Sequence, residues 1–279
     1  MPASQDMEGF ARLIEALHPW LDQLVVIGGW AHRLYRLHPL AQRLDYDPLA
    51  TLDADIAVPA ELPVAGQDIY ERLIASGFQE EKLGEARPPA AHYHLVSGRT
   101  GFYAEFLTPL EGSAAGRNGE RDATVRVAGV SSQKLRYIDL LLIAPWTVEI
   151  GMVARHPTPQ IRRIQLPAPA SFLAQKVLIH HERDRADRAK DVLYIHDTIE
   201  TFSSALPAIR EEWEATVKNG LHRKAVLKIE KGADVLFAEV DDTIREAALI
   251  ATGRNLTPES IREVCNYGWN QVFRRRESK

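Results

Sequence analysis

Thr51-Leu-Asp-Ala-Asp-Ile-Ala-Val58 places two carboxylates, Asp53 and Asp55, two residues apart inside an apolar run. A strand repeats every two residues, so both acids share one face. Leu52, Ala54, Ile56 and Val58 share the other face and require a core. Like charges side by side on a half-buried strand are costly unless positive charge sits between them. A divalent cation with oxygen ligands meets that need, above all magnesium carrying a phosphate group. The plainer reading, a strand edge with solvated aspartates, leaves the flanking Leu, Ile and Val unexplained.

Two further segments can complete such a site. Leu24-Val-Val-Ile27 is a short buried strand that runs into Gly28-Gly29, and helical spacing resumes over Trp30–Leu37. Glycines on a strand-to-helix turn allow close backbone approach and present free N–H groups to an anion. In Tyr103-Ala-Glu-Phe-Leu-Thr-Pro109, Glu105 is flanked by Ala104 and Phe106, which point the opposite way. If that strand lies beside the Asp53/Asp55 strand, three carboxylates converge, enough for two magnesium ions to bridge to a triphosphate. Asp139 and Glu149 also sit in strand-like runs. Glu105 is preferred because it lies on the first hairpin after the crossover helix.

These residues need elements to hold them. Phe10, Leu13, Ile14 and Leu17 share a helical face. His38–Ala50, with two prolines and mixed charge, reads as a loop, and Leu52–Val58 as the second strand. Asp68–Ser76 reads as a helix with Ile69, Leu73 and Ile74 inward, ended by Gly77. His92–Val96 and Phe102–Leu107 read as strands around a glycine-rich hairpin turn, Ser97–Gly101. Glu111–Glu120 reads as an exposed loop, and Thr124–Val127, Ile138–Ile143 and Thr147–Ile150 as three short strands. Pro157, Pro159, Pro167 and Pro169 mark a domain boundary. Beyond it the pattern is helical: Phe172–His181 with Ser171 as N-cap, Asp187–Phe202, Ala205–Lys218, Arg223–Thr252 broken near Gly232, and Pro258–Arg274. The outline is an α+β domain over residues 1–165 followed by an all-helical domain over 166–279.

Composition sets outer bounds. The chain has 279 residues, 45% hydrophobic and 26% charged, with a net charge of −4. That balance does not advertise nucleic-acid binding as a whole. One cysteine, Cys265, excludes an intrachain disulfide and a cysteine-type zinc site, and reads as an inert half-buried thiol on a helix. The N-terminus is acidic and amphipathic, unlike a signal peptide, and no apolar run is long enough to span a bilayer. The expected location is the cytoplasm.

The order VVIGGWAHRLYR, TLDADIAV, YAEFLTP resembles the nucleotidyltransferase superfamily with the DNA polymerase β type fold. PAPASFLAQKVLIHHERDRADRAKDVLYIHDTI is similar to a stretch in bacterial nucleotidyltransferase-like proteins, including AbiEii-type toxins of toxin–antitoxin systems. The resemblance covers roughly residues 22–202. It implies a mixed-sheet nucleotidyltransferase domain and a helical domain closing the nucleotide cleft. It implies Asp53, Asp55 and Glu105 as catalytic metal ligands for two Mg2+ ions, with Mn2+ as substitute, and Gly28 and Gly29 as receivers of the NTP phosphates. The family's Lys, Arg and Lys-Asp pattern falls on Lys176, Arg183 or Arg185, and Lys190-Asp191. Lys176 and Lys190 are thus expected to bind nucleotide such as ATP, and Asp191 to orient a neighbouring base. The implied reaction moves NMP from an NTP to an acceptor hydroxyl. The acceptor is RNA such as tRNA, or a protein, with a cognate antitoxin as a further partner. The alternatives are a catalytically weak or inactive nucleotide- or partner-binding protein, an aminoglycoside-type small-molecule nucleotidyltransferase, and a phosphohydrolase using the same carboxylates.

The chain departs from the family at Trp30, where many active members carry Ser or Thr, and in its long Gly29–Asp53 connection. His92 and His94 alternate on one strand face, a spacing suited to a metal or to the polar face of a hairpin. His180-His181 point two ways on a helix and read as structural. Phe273-Arg-Arg-Arg276 reads as a solvated basic terminus.

Overall fold

The computed structural model describes residues 5–64, 66–84, 88–96, 101–112, 123–151 and 158–274. The chain divides into two compact units, one of residues 1–37 and 50–167, the other of residues 38–49 and 168–279. None of its described helices is long and apolar enough to cross a membrane.

The first unit is α+β. Its nine described strands form one mixed sheet: β1 (Val25–Ile27), β2 (Asp53–Ala57), β3 (Phe78–Leu83), β4 (Ala90–Leu95), β5 (Tyr103–Pro109), β6 (Thr124–Val127), β7 (Val130–Leu135), β8 (Trp146–Ile150) and β9 (Arg162–Leu166). The main order is β3-β4-β5-β2-β1-β9-β8, and β7 pairs with both β5 and β6. β2 and β5 run parallel at the centre, β1 runs antiparallel to β2, and β4 antiparallel to β5. The turn read at Ser97–Gly101 falls largely outside the described residues, as do most of Glu111–Glu120, Pro157 and the last arginines of the basic terminus.

Among the described residues, four α-helices accompany the sheet: α1 (Gln5–Leu17), α2 (Gly28–Leu34), α3 (Ile69–Ala75) and α4 (Ile138–Leu141). Phe10, Leu13, Ile14 and Leu17 of α1 are all buried. Asp68 caps α3 by accepting from the Glu71 N–H, and the Glu71 side chain returns to the Asp68 N–H. Gly77 follows at φ +89°, a left-handed stop. Ile74 is 41% exposed rather than inward, because Ile69 and Leu73, four residues apart, already fill the buried stripe.

Several strand expectations need correction. Ile138–Ile143 is not a strand: its first four residues form α4, entered through Tyr137 at φ 64°. A short apolar run satisfies either period, and the left-handed Tyr137 decides by turning the chain. β3, β7 and β9 were not anticipated. Their sequences, FQEEKL, VSSQKL and RRIQL, carry too few apolar residues to announce themselves. The helix expected from Trp30 begins at Gly28.

The second unit is helical: α5 (Pro169–Ile179), α6 (Arg185–Thr201), α7 (Leu206–Glu212), α8 (Arg223–Glu230), α9 (Gly232–Leu236), α10 (Asp242–Ile250) and α11 (Pro258–Phe273). Ser171 is not the cap of α5. Ala168 occupies that position with Pro169 in the first turn, and Ser171 is fully buried. A proline pre-set for helical φ and lacking an N–H outcompetes a hydroxyl cap there. The long helix expected over Arg223–Thr252 is three helices, with breaks at Lys231 and again after Leu236, and Ala205–Lys218 changes to π-helical backbone over Trp213–Val217. α6 and α11 cross closely at Gly268, where an added Cβ would meet Ile199 Cγ2 at 2.3 Å.

Segment 38–49 has no regular structure but belongs to this helical unit. Tyr46 donates to Glu200 Oε2 at 2.5 Å, and Arg254 holds both Asp197 oxygens at 2.9 and 2.8 Å and the Asp47 carbonyl at 2.7 Å. The Arg254 guanidinium also lies over the Tyr46 ring at 3.9 Å. Burial, then the charge of Asp197, drives the Tyr46 hydroxyl far above its usual pKa.

Candidate active site

The register of β2 against β5 builds the site. Asp53 pairs with Tyr103, Asp55 with Glu105, and Ala57 with Leu107. All six therefore stand on one face of two adjacent strands, and Ile27 of β1 joins them opposite Asp55. Ala54, Ile56, Ala104 and Phe106 alternate to the other face and are at most 1% exposed.

The carboxylate face is polar only at one end. Val25, Ile27, Ala57, Leu107, Ile138 and Leu141 form a buried cluster at the other end, so α4 covers the strands just beyond Asp55 and Glu105. This explains why a segment expected as a strand became a helix: its apolar residues seal the back of the acidic face. Asp139, on α4, is exposed, and Glu149 on β8 is 57% exposed in a pair with Arg163. Only Glu105, among the acids weighed for the third position, shares the face of Asp53 and Asp55.

Gly28 touches this face directly. Its φ is +62°, and a Cβ built there would meet Asp55 Oδ2 at 2.2 Å. Glycine is required twice over, for the left-handed backbone and for the close approach to Asp55. Trp30, in contrast, turns wholly into the core. It is 0% exposed, stacks on Phe10 at 3.9 Å between centroids, and meets Phe102 edge-on at 6.2 Å. The residue after the glycine pair is therefore a core side chain in this protein.

The electrostatics follow from crowding. Burial, then the charge of Asp53, raises the Glu105 pKa above the ordinary carboxylate value. Burial and the neighbouring Asp53, Glu105 and Asp55 push Tyr103 up to about 12. Thr51 donates its hydroxyl to Asp53 Oδ1. His92 Nε2 lies 2.5 Å from Glu105 Oε1. Burial, then repulsion from His94, lowers the His92 pKa, against the pull of Glu81 and Asp53. The two shifts run in opposite directions, Glu105 up and His92 down, because burial disfavours the charged form of each.

His92 as the neighbour of Glu105 was not foreseen. The signal was present: His92 and His94 alternate on the strand that must fold back on Glu105. Only the antiparallel register, with His94 opposite Tyr103, shows which imidazole lands beside the acid.

Among the described residues, two groups of possible ligands bring their atoms within 4.8 Å of one another, Glu81–His92–His94 and His196–Asp197–Glu200. Asp53, Asp55 and Glu105 share a face without being gathered into such a group. The expected cations lie in the helical unit. Lys176 is buried there, with Nζ 2.7 Å from Asp191 Oδ1 and 5.2 Å from the ring centroids of Phe172 and Tyr194. Asp191 also takes Arg183 at 3.5 Å. It thus orients basic side chains, and Lys190 beside it is exposed.

A protein-family model described as Nucleotidyltransferase matches residues 5–218, well over half of the chain. The chain belongs to the Nucleotidyltransferase family. No curated protein matches it. The matched span holds Gly28, Gly29, Asp53, Asp55, Glu105, Lys176 and Lys190, and ends just before α8. The mixed sheet with a helical C-terminal region agrees with the nucleotidyltransferase fold. Nucleotidyl transfer is accordingly the general chemistry of its family, with an NTP as substrate.

Proposed function

We propose that this member is a divalent-metal-dependent enzyme that moves NMP from an NTP to an acceptor hydroxyl through Asp53, Asp55 and Glu105. The observation that carries the reading is the parallel register of β2 and β5, which sets Asp55 opposite Glu105 with Asp53 one step along the same face.

The residues suit a hard cation. They offer only oxygen donors, and the register gathers Asp53, Asp55 and Glu105 on one face of two adjacent strands, where a cation would offset their like charges. Asp53, Asp55 and Glu105 would hold Mg2+ or Mn2+. Bound there, the ion supplies neutralisation of charge on the phosphates. The chain's own residues do the rest. Thr51 fixes the Asp53 carboxylate, and the Gly28 backbone confines Asp55. Glu105, opposite Asp55 on the same face, is the carboxylate placed to take the proton of the acceptor hydroxyl. The family pattern offers Lys176 and Lys190 of the helical unit as nucleotide-binding cations; Lys176 is paired with Asp191 and Lys190 is exposed. The acceptor is RNA such as tRNA, or a protein, in keeping with a toxin role checked by an antitoxin.

Trp30 favours a second reading, a nucleotide-binding protein with little or no transfer. Its indole is in the core, so no hydroxyl follows the glycine pair. Incubation with radiolabelled NTPs, magnesium and cell extract separates the two. Label moving with tRNA, protein or an aminoglycoside supports transfer and names the acceptor class. NTP binding in a titration calorimeter without any label transfer supports the second reading.

A further inference from the structure

We propose that Glu81, His92 and His94 form a binding site for a late first-row divalent cation, zinc foremost, set beside the carboxylate face. Glu81 stands on β3 directly opposite His92 on β4, and His94 follows two residues on, so all three share one face of an antiparallel pair. Their ligand atoms lie within 4.8 Å of one another. His94 Nε2 is 2.7 Å from Glu81 Oε2.

The imidazoles are held rather than free to swing. His92 stacks on the Tyr103 ring at 4.5 Å and 21°, and His94 lies against the same ring at 5.2 Å. Tyr103 thereby fixes both ring planes, as a second shell does for a metal centre. Two nitrogens and one carboxylate oxygen make a donor set that prefers zinc-like ions to magnesium. The neighbouring Asp53, Asp55 and Glu105 offer oxygen alone and have the opposite preference. Three protein ligands leave a coordination position open to water or to another ligand. One face thus carries two donor sets of different hardness, joined by His92, whose Nε2 also contacts Glu105.

Cobalt(II), which colours histidine-containing sites, is the probe, titrated into the untagged full-length chain in the presence of excess magnesium. The expected result is one equivalent bound, with visible absorption that zinc displaces. His94→Ala and the exposed-side change Glu81→Gln should each weaken binding by about ten-fold or more, with circular dichroism unchanged. Asp53→Asn/Asp55→Asn should leave the absorption in place even if transfer is abolished. The proposal is overturned if wild type shows no bound cobalt. It is equally overturned if the absorption survives His92→Ala/His94→Ala, if Glu81→Gln binds as wild type does, if the Asp53/Asp55 variant loses the absorption, or if His196→Ala does.

Discussion

Replacing Gly28 by alanine tests the geometry of the carboxylate face at one atom. The backbone there sits at φ +62°, which costs an L-residue about 1–2 kcal/mol. The new methyl would also lie 2.2 Å from Asp55 Oδ2, where ordinary contact begins at 3.4 Å. The carboxylate must retreat by roughly 1 Å, a shift that costs on the order of 100-fold in rate when it misplaces a reacting group. Adding about 1 kcal/mol for the displaced carboxylate gives a destabilisation of about 2–3 kcal/mol, or a fall in Tm of roughly 4–12 °C. The two contributions separate in a double-mutant cycle with Asp55→Ala, read by thermal unfolding. Removing the carboxylate relieves the clash and leaves the backbone cost. The cycle should therefore return a coupling of about 1 kcal/mol in the sense that the double variant is more stable than additivity allows. A Gly28→Ala protein with wild-type Tm and transfer rate would refute the close approach. So would strictly additive variants.

Three further outcomes follow from the packing. Trp30→Ser supplies a hydroxyl after the glycine pair, yet it empties a core position stacked on Phe10; chemical denaturation should show a loss of about 3–5 kcal/mol, and calorimetry no tighter NTP binding. Lys176→Met leaves Asp191 buried with only Arg183 at 3.5 Å, which should cost about 3 kcal/mol, while Lys176→Met/Asp191→Leu should recover much of that in the same denaturation assay. Burial lowers the pKa of His38, and burial with His181 and Arg188 lowers that of His180. Their unfolded forms bind protons first on acidification, so stability should be full above about pH 6.5 and fall as the pH drops below it. His180→Gln should flatten that slope in urea midpoints taken across the range.

How far the sequence carried can be argued from particular residues. Asp53 and Asp55 were readable because period-two alternation with Ala54 and Ile56 leaves them only one face. Glu105 was readable as the acid of an apolar-backed strand. That it stands opposite Asp55 is a matter of register between strands some fifty residues apart, which one sequence does not encode locally. Gly28 was legible as a turn, but its contact with Asp55 was not. α4 reads equally well as a strand because its three apolar residues, Ile138, Leu140 and Leu141, suit either period, and the left-handed Tyr137 that decides carries no propensity signal. β3, β7 and β9 are made by their partners: polar strands such as VSSQKL gain their place from ladder bonds, not from an apolar stripe. Segment 38–49 looked like a loop and has no regular structure, yet Tyr46 and Asp47 tie it to Asp197, Glu200 and Arg254 through contacts that no local pattern announces. Lys176 stands out in the sequence as a cation in an apolar helix. Its partner Asp191, fifteen residues on, gives the oddity an immediate structural reason.

The central claim is that the Asp53, Asp55 and Glu105 face transfers a nucleotidyl group. The direct measurement compares NTP labelled at the α-phosphorus with NTP labelled at the γ-phosphorus, in wild type and in Asp53→Asn, with magnesium and cell extract. The account predicts that α-label becomes covalently attached to an acceptor while γ-label is released as pyrophosphate, and that Asp53→Asn, folded by circular dichroism, does neither. Attachment of γ-label, release of label with no acceptor, or undiminished transfer in Asp53→Asn would contradict it.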